Sequence, residues 1–367
     1  MAKAIVLFSG GLDSLLTVRI LQAQGIEVIG LHLATPFQGP SPEAPHWAEK
    51  FGIELVTRSF GREYLEMIAH PRYGYGKALN PCIDCRIMML RAAAELMSER
   101  GADFVATGEI AGQRPNSQKL HQLNLITRAS GLSGKLLRPL TAKTLPPTEM
   151  ENDGTVDREK LYSYTGRSRA KLIRRAKTVF DIHPIPQPST GCLLAEKSFV
   201  PRLRDLLKRN PAPTLWDAEL LRFGRHLWFD SRLKAVVSRR EADGKQIVSH
   251  FNRSDRSPSL LLAPENFMGP TVLLIASPNT KPLADEDIAL AGSLVLRFSN
   301  PDKIARIEGT PKVNLFRTPE TREIIDIFPS PKAEEFHLIE EAVCHYEPEK
   351  DEPEDDGSNK AARQEGD

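Results

Sequence analysis

Cysteine is scarce in this chain: 367 residues contain four, Cys82, Cys85, Cys192 and Cys344. So few in so long a chain exclude a disulfide-framed scaffold. Long apolar runs are also missing. No stretch approaches the roughly 20 uninterrupted apolar residues that span a bilayer, so no membrane partner is expected. The apolar run at residues 4–8 is too short for a secretory leader and turns directly into glycine, which points to a cytoplasmic protein. Nor does one sign of charge dominate, since 49 basic residues face 48 acidic ones. The balance hides an asymmetry. Residues 347–367 hold nine acids and three bases, so the rest of the chain carries +7, enough to matter to a polyanion. No internal repeat is visible.

What is present reads as two domains and a tail. Over residues 1–210 strand-like and helix-like segments alternate: strands at 3–8, 27–33, 53–57 and 104–107, helices at 14–24, 42–51 and 83–100. Alternation of this kind predicts an α/β fold with a parallel sheet, whose ligands sit beyond the carboxyl ends of the strands. Residues 140–159, rich in proline and threonine, read as a surface excursion. Residues 211–330 read as a smaller α+β domain, with strands at 227–237, 246–251 and 271–276, a polar turn at 242–244 and a helix at 285–298. A short extension at 331–346 and a disordered acidic tail at 347–367 complete the expected organisation.

The sharpest signal is Ser9-Gly10-Gly11-Leu12-Asp13-Ser14, between the first strand and the first helix. Paired glycines let backbone N–H groups approach an anion, serine hydroxyls add donors, and the helix start adds a favourable dipole. Asp13 would repel phosphate alone, so it points to a Mg²⁺ ion shared with the phosphates. A ligand-free serine-glycine turn is the plain alternative. The six residues closely resemble the loop of the PP-loop ATP pyrophosphatases, HUP-like enzymes that split ATP between its α and β phosphates and adenylate a substrate carbonyl. There is no Walker A lysine, which argues against γ-phosphate chemistry.

Further motifs narrow the substrate. Thr107-Gly108-Glu109-Ile110-Ala111-Gly112-Gln113-Arg114-Pro115-Asn116-Ser117-Gln118 and Leu137-Arg138-Pro139-Leu140 resemble segments of ThiI-type tRNA 4-thiouridine synthetases. So does Gly191-Cys192-Leu193-Leu194 with Phe199-Val200-Pro201. Asn80-Pro81-Cys82-Ile83-Asp84-Cys85 departs from that pattern and is similar to the Asn-Pro-x-x-x-Cys segment of the tRNA 2-thiouridylases, with Ser189-Thr190-Gly191-Cys192 as the partner cysteine segment. Neither the amino-terminal THUMP region of ThiI nor a rhodanese-like loop is recognisable.

The resemblance implies a tRNA sulfurtransferase with an upstream sulfur donor, such as a cysteine desulfurase or sulfide. It implies ATP contacts at Ser9, Gly10, Gly11, Asp13, Ser14, Gly108 and Gln113, and catalytic roles for Asp13, Cys85 and Cys192. Gln113 or Ser117 would position the base, and Glu109 with Gln113 would line the crevice. The thiols allow three arrangements: a persulfide with a resolving cysteine, a 4Fe-4S cluster on Cys82, Cys85 and Cys192, or a structural Zn²⁺ completed by His70, His183 or an aspartate. Cys344 reads as a plain thiol.

Arg167, Arg169, Lys171, Arg174 and Arg175 open a basic helix, and Arg202, Arg204, Lys208 and Arg209 follow Cys192. A solvated helix face explains either run alone; two runs flanking Cys192 suggest tRNA phosphate contacts. Phe223-Gly224-Arg225-His226-Leu227-Trp228 and Pro264-Glu265-Asn266-Phe267-Met268-Gly269-Pro270 resemble the NFACT RNA-binding domain, with Trp228 a candidate for base stacking.

Overall fold

A computed structural model describes residues 1–339 apart from 40, 188–191, 211, 230–231 and 278–279. Ser189, Thr190 and Gly191 of the cysteine motif, Cys344 and the acidic tail lie outside the described residues.

The first unit starts β1 (Lys3–Leu7), α1 (Leu12–Gln22), β2 (Glu27–Ala34), α2 (Glu43–Phe51), β3 (Glu54–Ser59) and α3 (Arg62–Ala69). It continues α4 (Cys82–Glu99), β4 (Phe104–Ala106), α5 (Leu120–Ala129), β5 (Leu136–Leu137), α6 (Glu149–Asn152), α7 (Ala170–Val179) and α8 (Val200–Arg209). Its five strands are all parallel, in the order β3-β2-β1-β4-β5. Both faces of the central strand are covered, as parallel sheets require. Ala4, Val6 and Phe8 pack into one core with α1, α2 and α7, while Ile5 packs on the other face with α4 and α5.

Residues 140–159 do not form the expected surface excursion. Leu140, Ala142, Met150 and Val156 are buried in the α1 core, so the proline-rich path folds back over the sheet.

The second unit adds α9 (Leu215–Leu220), β6 (Arg225–Trp228), β7 (Leu233–Val237), α10 (Glu241–Phe251), β8 (Ser259–Pro264), β9 (Val272–Ala276) and α11 (Asp285–Arg297). It ends with α12 (Pro301–Ile304), β10 (Lys312–Phe316), β11 (Glu323–Asp326) and β12 (His337–Leu338). The strands form an antiparallel sheet ordered β11-β10-β8-β9-β7-β6-β12, so β12 carries this unit past residue 330. One face packs on α11 and the other on α9 and α10.

Two expectations fail here. Residues 227–237 make two antiparallel strands rather than one. Residues 246–251, with the supposed turn at 242–244, lie inside helix α10. Gly244 read as a turn signal, yet it lies within α10, where an added Cβ would make ordinary contact with the Thr271 hydroxyl at 3.4 Å. Among the described residues no helix is long and apolar enough to cross a membrane.

Candidate nucleotide and thiol site

The loop at Ser9–Ser14 leaves the carboxyl end of β1. Gly10 adopts φ +75°, and a Cβ there would stand 2.8 Å from the Ala44 nitrogen at the start of α2. Only glycine fits both constraints. Gly11 caps α1, its N–H reaching Ser9 Oγ at 3.3 Å, and Ser14 Oγ donates to the Gly11 carbonyl at 2.8 Å. His32, which the sequence did not single out, braces the same corner. Its Nε2 accepts from the Ser41 N–H at 2.9 Å, so Nδ1 carries the proton and donates to the Phe8 carbonyl at 3.0 Å.

Asp13 lies in the first turn of α1. Its Oδ2 accepts from Gln113 Nε2 at 3.0 Å, while Oδ1 is buried with no hydrogen-bond partner. Burial pushes this carboxyl above its ordinary value, against the pull of Gln113, Arg169 and Arg114. An orphaned buried carboxylate oxygen beside a glycine loop suits a divalent cation.

Gly108 follows β4 and lies against this turn. An added Cβ would come within 2.6 Å of the Asp13 carbonyl carbon, so the strand end and α1 are in direct backbone contact. Glu109 does not line the crevice. It is 3% exposed, held by Arg138 Nε at 2.9 Å and Arg86 Nε at 3.2 Å, and it acts as a buried strut. Burial opposes its ionisation, but Arg138 and Arg86 outweigh burial and hold the carboxyl below its usual range. Ser117 is also buried, whereas Gln113 is half-exposed.

The thiols gather on the same unit. Cys82 and Cys85 begin α4, and Asp84 between them accepts from the N–H groups of Arg72 and Tyr73 at 3.0 and 3.1 Å, clamping the preceding loop. Asn80 Nδ2 donates to Cys82 Sγ at 3.1 Å, and Tyr64 Oη shares a hydrogen bond with Cys85 Sγ at 3.4 Å. Cys85 and Cys192 pack against one apolar cluster with Tyr64, Phe37 and Phe199. Burial raises both thiols, Cys192 to about 11, and Cys85 and Cys82 add to the rise at Cys192. All three sulfurs are free.

The loop at 112–118 joins the two halves of the site. Gln113 holds Asp13, and a Cβ on Gly76 would stand 2.6 Å from the side-chain nitrogens of both Asn116 and Asn80. Arg114, exposed between them, is within electrostatic reach of Asp13, Cys85 and Cys192. Its place inside a quoted motif was the available signal, and the sequence reading passed over it.

The donor set does not suit a metal cluster. Among the described residues no three His, Cys, Asp or Glu side chains are gathered so as to hold a metal ion. His183 is exposed and pairs with Asp181 at 3.6 Å, and His70 is exposed as well.

The basic runs are only partly available to RNA. In α7, Lys171 and Arg174 are exposed, as is Arg167 just before it, while Arg169 donates to the Pro186 carbonyl at 3.4 Å. Arg175 lies 5.1 Å over the Tyr162 ring. In α8, Arg202 is buried and donates to the Leu221 carbonyl at 3.0 Å. Trp228 is not a free stacking platform. Its indole N–H donates to Asp205 at 2.5 Å, and Arg209 covers its ring at 4.4 Å.

Comparison with known proteins finds similarity in two stretches of the chain. Residues 2–129 match the tRNA methyl transferase HUP domain, and residues 224–334 match the NFACT protein RNA binding domain. The tRNA-specific 2-thiouridylase MnmA of Serratia proteamaculans is 27% identical over 227 residues, 58% of this chain and 58% of its own length. The protein of the same name from Nitratiruptor sp. is 34% identical over 118 residues, 30% of this chain and 35% of that one. The chain thus spans about three fifths of the first relative's length. Among solved structures, a predicted subunit of tRNA methyltransferase from Methanocaldococcus jannaschii is 17% identical, with a TM-score of 0.36 over 59% of this chain and 91% of that one. A 4-thiouridine synthetase solved with RNA and bound ATP is 22% identical, with a TM-score of 0.31 over 48% of this chain and 50% of that one. The stretch similar to the tRNA methyl transferase HUP domain thus carries the parallel sheet with a glycine loop at its central strand end, and the stretch similar to the NFACT protein RNA binding domain carries the antiparallel sheet.

Proposed function

We propose that this protein is an ATP-dependent tRNA sulfurtransferase that converts a uridine carbonyl to a thiocarbonyl. The observation that carries the reading is the joining of two half-sites on one sheet edge: the glycine loop with Asp13, and the Cys85–Cys192 pair, linked through the loop at 112–118. Methyl transfer, which the family description names, has no use for a gathered set of thiols.

In this reading the backbone of Ser9–Ser14 grips the ATP phosphates, with Gly108 and Gln113 closing the far side. Asp13 would hold Mg²⁺ through its unpartnered oxygen, and the ion would screen the polyphosphate charge. The uridine oxygen attacks the α-phosphate and pyrophosphate leaves. Adenylation turns a poor leaving group into a good one. One cysteine of the pair carries a sulfane sulfur passed on from the persulfide of a cysteine desulfurase, whose own cysteine leaves as the thiolate. That terminal sulfur attacks the base carbon, the C–O bond breaks, and AMP departs with the electron pair. The second thiolate then attacks the carrier's own sulfur, releasing the thiocarbonyl and leaving a Cys85–Cys192 disulfide, which a dithiol reduces. Burial disfavours the plain thiolates, which favours carrying sulfur as the more acidic persulfide. No step is assigned to an iron–sulfur cluster.

The relatives' name and the Asn80–Cys85 segment favour position 2 of the uracil ring as the target. The NFACT-type domain and the exposed cations Arg167, Lys171 and Arg174 are the parts suited to docking tRNA. Mass spectrometry of tRNA nucleosides from a deletion strain tests the reading: one thionucleoside should disappear and return on complementation. An unchanged thionucleoside profile would sink it.

A further inference from the structure

Beside the reacting sulfurs lies a buried titratable group that the mechanism does not use. Tyr64, in α3, is 2% exposed, and its hydroxyl stands 3.4 Å from Cys85 Sγ. Its ring is fixed from two sides, stacked on Phe60 with centroids 5.7 Å apart and tilted against Phe37 at 6.3 Å. Phe37, Leu65 and Phe199 belong to the same apolar cluster. A phenylalanine at position 64 would fill this space with no polar atom to satisfy. A phenol buried here costs desolvation, and a thiol is a weak partner for it. Packing alone does not account for the hydroxyl.

The surroundings fix which way that hydrogen bond runs. Thr35, just past β2, bonds the Tyr64 hydroxyl through its own side chain, in the sense of a donor that eases ionisation of the phenol. Thr35 Oγ1 accepts the Gln38 N–H at 3.0 Å, which leaves the threonine proton to be given to the phenol oxygen. That oxygen, already accepting, directs its proton at Cys85 Sγ. Burial first, and then the Cys85 sulfur, hold the phenol far above its ordinary value, so the proton stays on it across the neutral range. A chain from Gln38 through Thr35 to Tyr64 polarises each bond along it. At Cys85 burial raises the thiol, and Tyr64 is the largest influence the other way, ahead of Arg86 and Arg114. Arg86 is already engaged by Glu109 at 3.2 Å, and Cys82 opposes ionisation of its neighbour.

We infer that Tyr64 is a catalytic residue of the thiol site, donating a hydrogen bond that stabilises Cys85 whenever its sulfur carries charge. Two steps put charge there. As the resolving thiolate, Cys85 attacks Cys192 Sγ: the Cys85–Cys192 bond forms, and the bond from Cys192 to the transferred sulfur breaks with its electron pair on that sulfur. When a dithiol later attacks the disulfide at Cys192, the bond between the two cysteines breaks and Cys85 leaves with the electron pair. Tyr64 keeps its proton in both steps, and a hydrogen bond to a charged sulfur is stronger than one to a neutral thiol. The steps rest on the sulfurtransferase reading; the hydrogen bond does not.

Alkylation of the full chain by iodoacetamide across pH, resolved at Cys85 and Cys192 by peptide fragmentation in mass spectrometry, tests the hydrogen bond without tRNA. Tyr64→Phe should slow Cys85 alkylation about three- to tenfold at about pH 8, because less thiolate is present although each thiolate is more nucleophilic. At high pH the limiting rate should match or exceed wild type, which a merely collapsed site would not give. Cys192 in the same digests should keep its wild-type profile. Thr35→Val should move Cys85 in the same direction by less, and it carries the test if Tyr64→Phe melts early. In thiolation assays Tyr64→Phe should lower kcat about tenfold and leave KM for tRNA and tRNA-dependent pyrophosphate release near wild type. An unchanged Cys85 profile in the variant that carries the test, or a wild-type kcat, overturns the role of Tyr64 and leaves the sulfurtransferase reading standing. A shifted profile in a protein that thiolates no tRNA overturns that reading instead, and keeps Tyr64 as the group that activates Cys85.

Discussion

Each of the two units buries a charge on or just past a strand of its sheet, and they treat it in opposite ways. Glu109, just past β4, is wedged between Arg138 and Arg86, and the surplus of positive charge holds its carboxyl down. Lys234, in β7, has no carboxylate within ion-pair distance among the described residues. Asp205 and Asp217 attract it only from further away, and burial pushes it down to about 8. The first unit is neutralised wherever its chemistry needs rigidity. The second keeps Lys234 buried without a close counter-ion among the described residues. The contrast suits a division of labour, with a pre-set reaction site in one unit and a polyanion surface on the other.

The sharpest way to break that division is to remove a thiol. Cys192→Ser should lower thiolation at least about a thousandfold, yet leave tRNA affinity and tRNA-dependent pyrophosphate release near wild type. Loss of tRNA affinity in this variant would show that the two units are not separable in role.

Next comes the strut. Glu109→Gln leaves buried Arg138 and half-buried Arg86 without their anion and should cost about 3–5 kcal/mol in urea unfolding. The depressed carboxyl contributes stability that is fully present above its ordinary 4.5 and fades as pH falls through its lower folded value. Wild-type stability should therefore fall more steeply with acid than that of the glutamine variant.

Lys234 has the opposite sign. Its folded value of about 8 lies below the ordinary 10.5, so the buried ammonium costs stability at neutral pH. The free energy of unfolding should rise between those two values, by roughly 1.4 kcal/mol per pH unit from this group. Lys234→Met should flatten that rise and stabilise the neutral protein by about 2 kcal/mol. A destabilised variant would mean that Lys234 is compensated after all. The smallest effect expected is at the surface where the two units meet. Arg209→Ala removes a cation from over Trp228 and an ion pair with Asp205, and should cost about 1 kcal/mol or less.

Legibility followed the same division. Strands β1 to β4 carry short apolar runs closed by glycine or by polar turns, so their period and ends can be read directly. The loop at Ser9–Ser14 was recognisable because its residues touch ligand through backbone, and only glycine tolerates that approach. Helix α3 and helix α5 were missed, having weaker patterns between loops. In the second unit short strands broke the reading. Ser259–Pro264 has proline before it and at its end, and α10 carries a glycine in its interior. Arg114 and His32 went unread for another reason. Their significance lies in what the fold sets opposite them, Phe8 and Ser41 for His32 and Asp13 for Arg114, and such pairings leave no local pattern.

One earlier feature bears on how this protein can be cut. The face of the parallel sheet under α1 is finished by Leu140, Met150, Val156, Leu161, Leu172 and Ile182, all C-terminal to the stretch that matches the HUP domain. A fragment ending at residue 129 would leave that face open to water and would lack Cys192. Anyone grafting the nucleotide half onto another scaffold must carry the chain through Ile182 to obtain a soluble module, and through Cys192 to obtain one with both sulfurs.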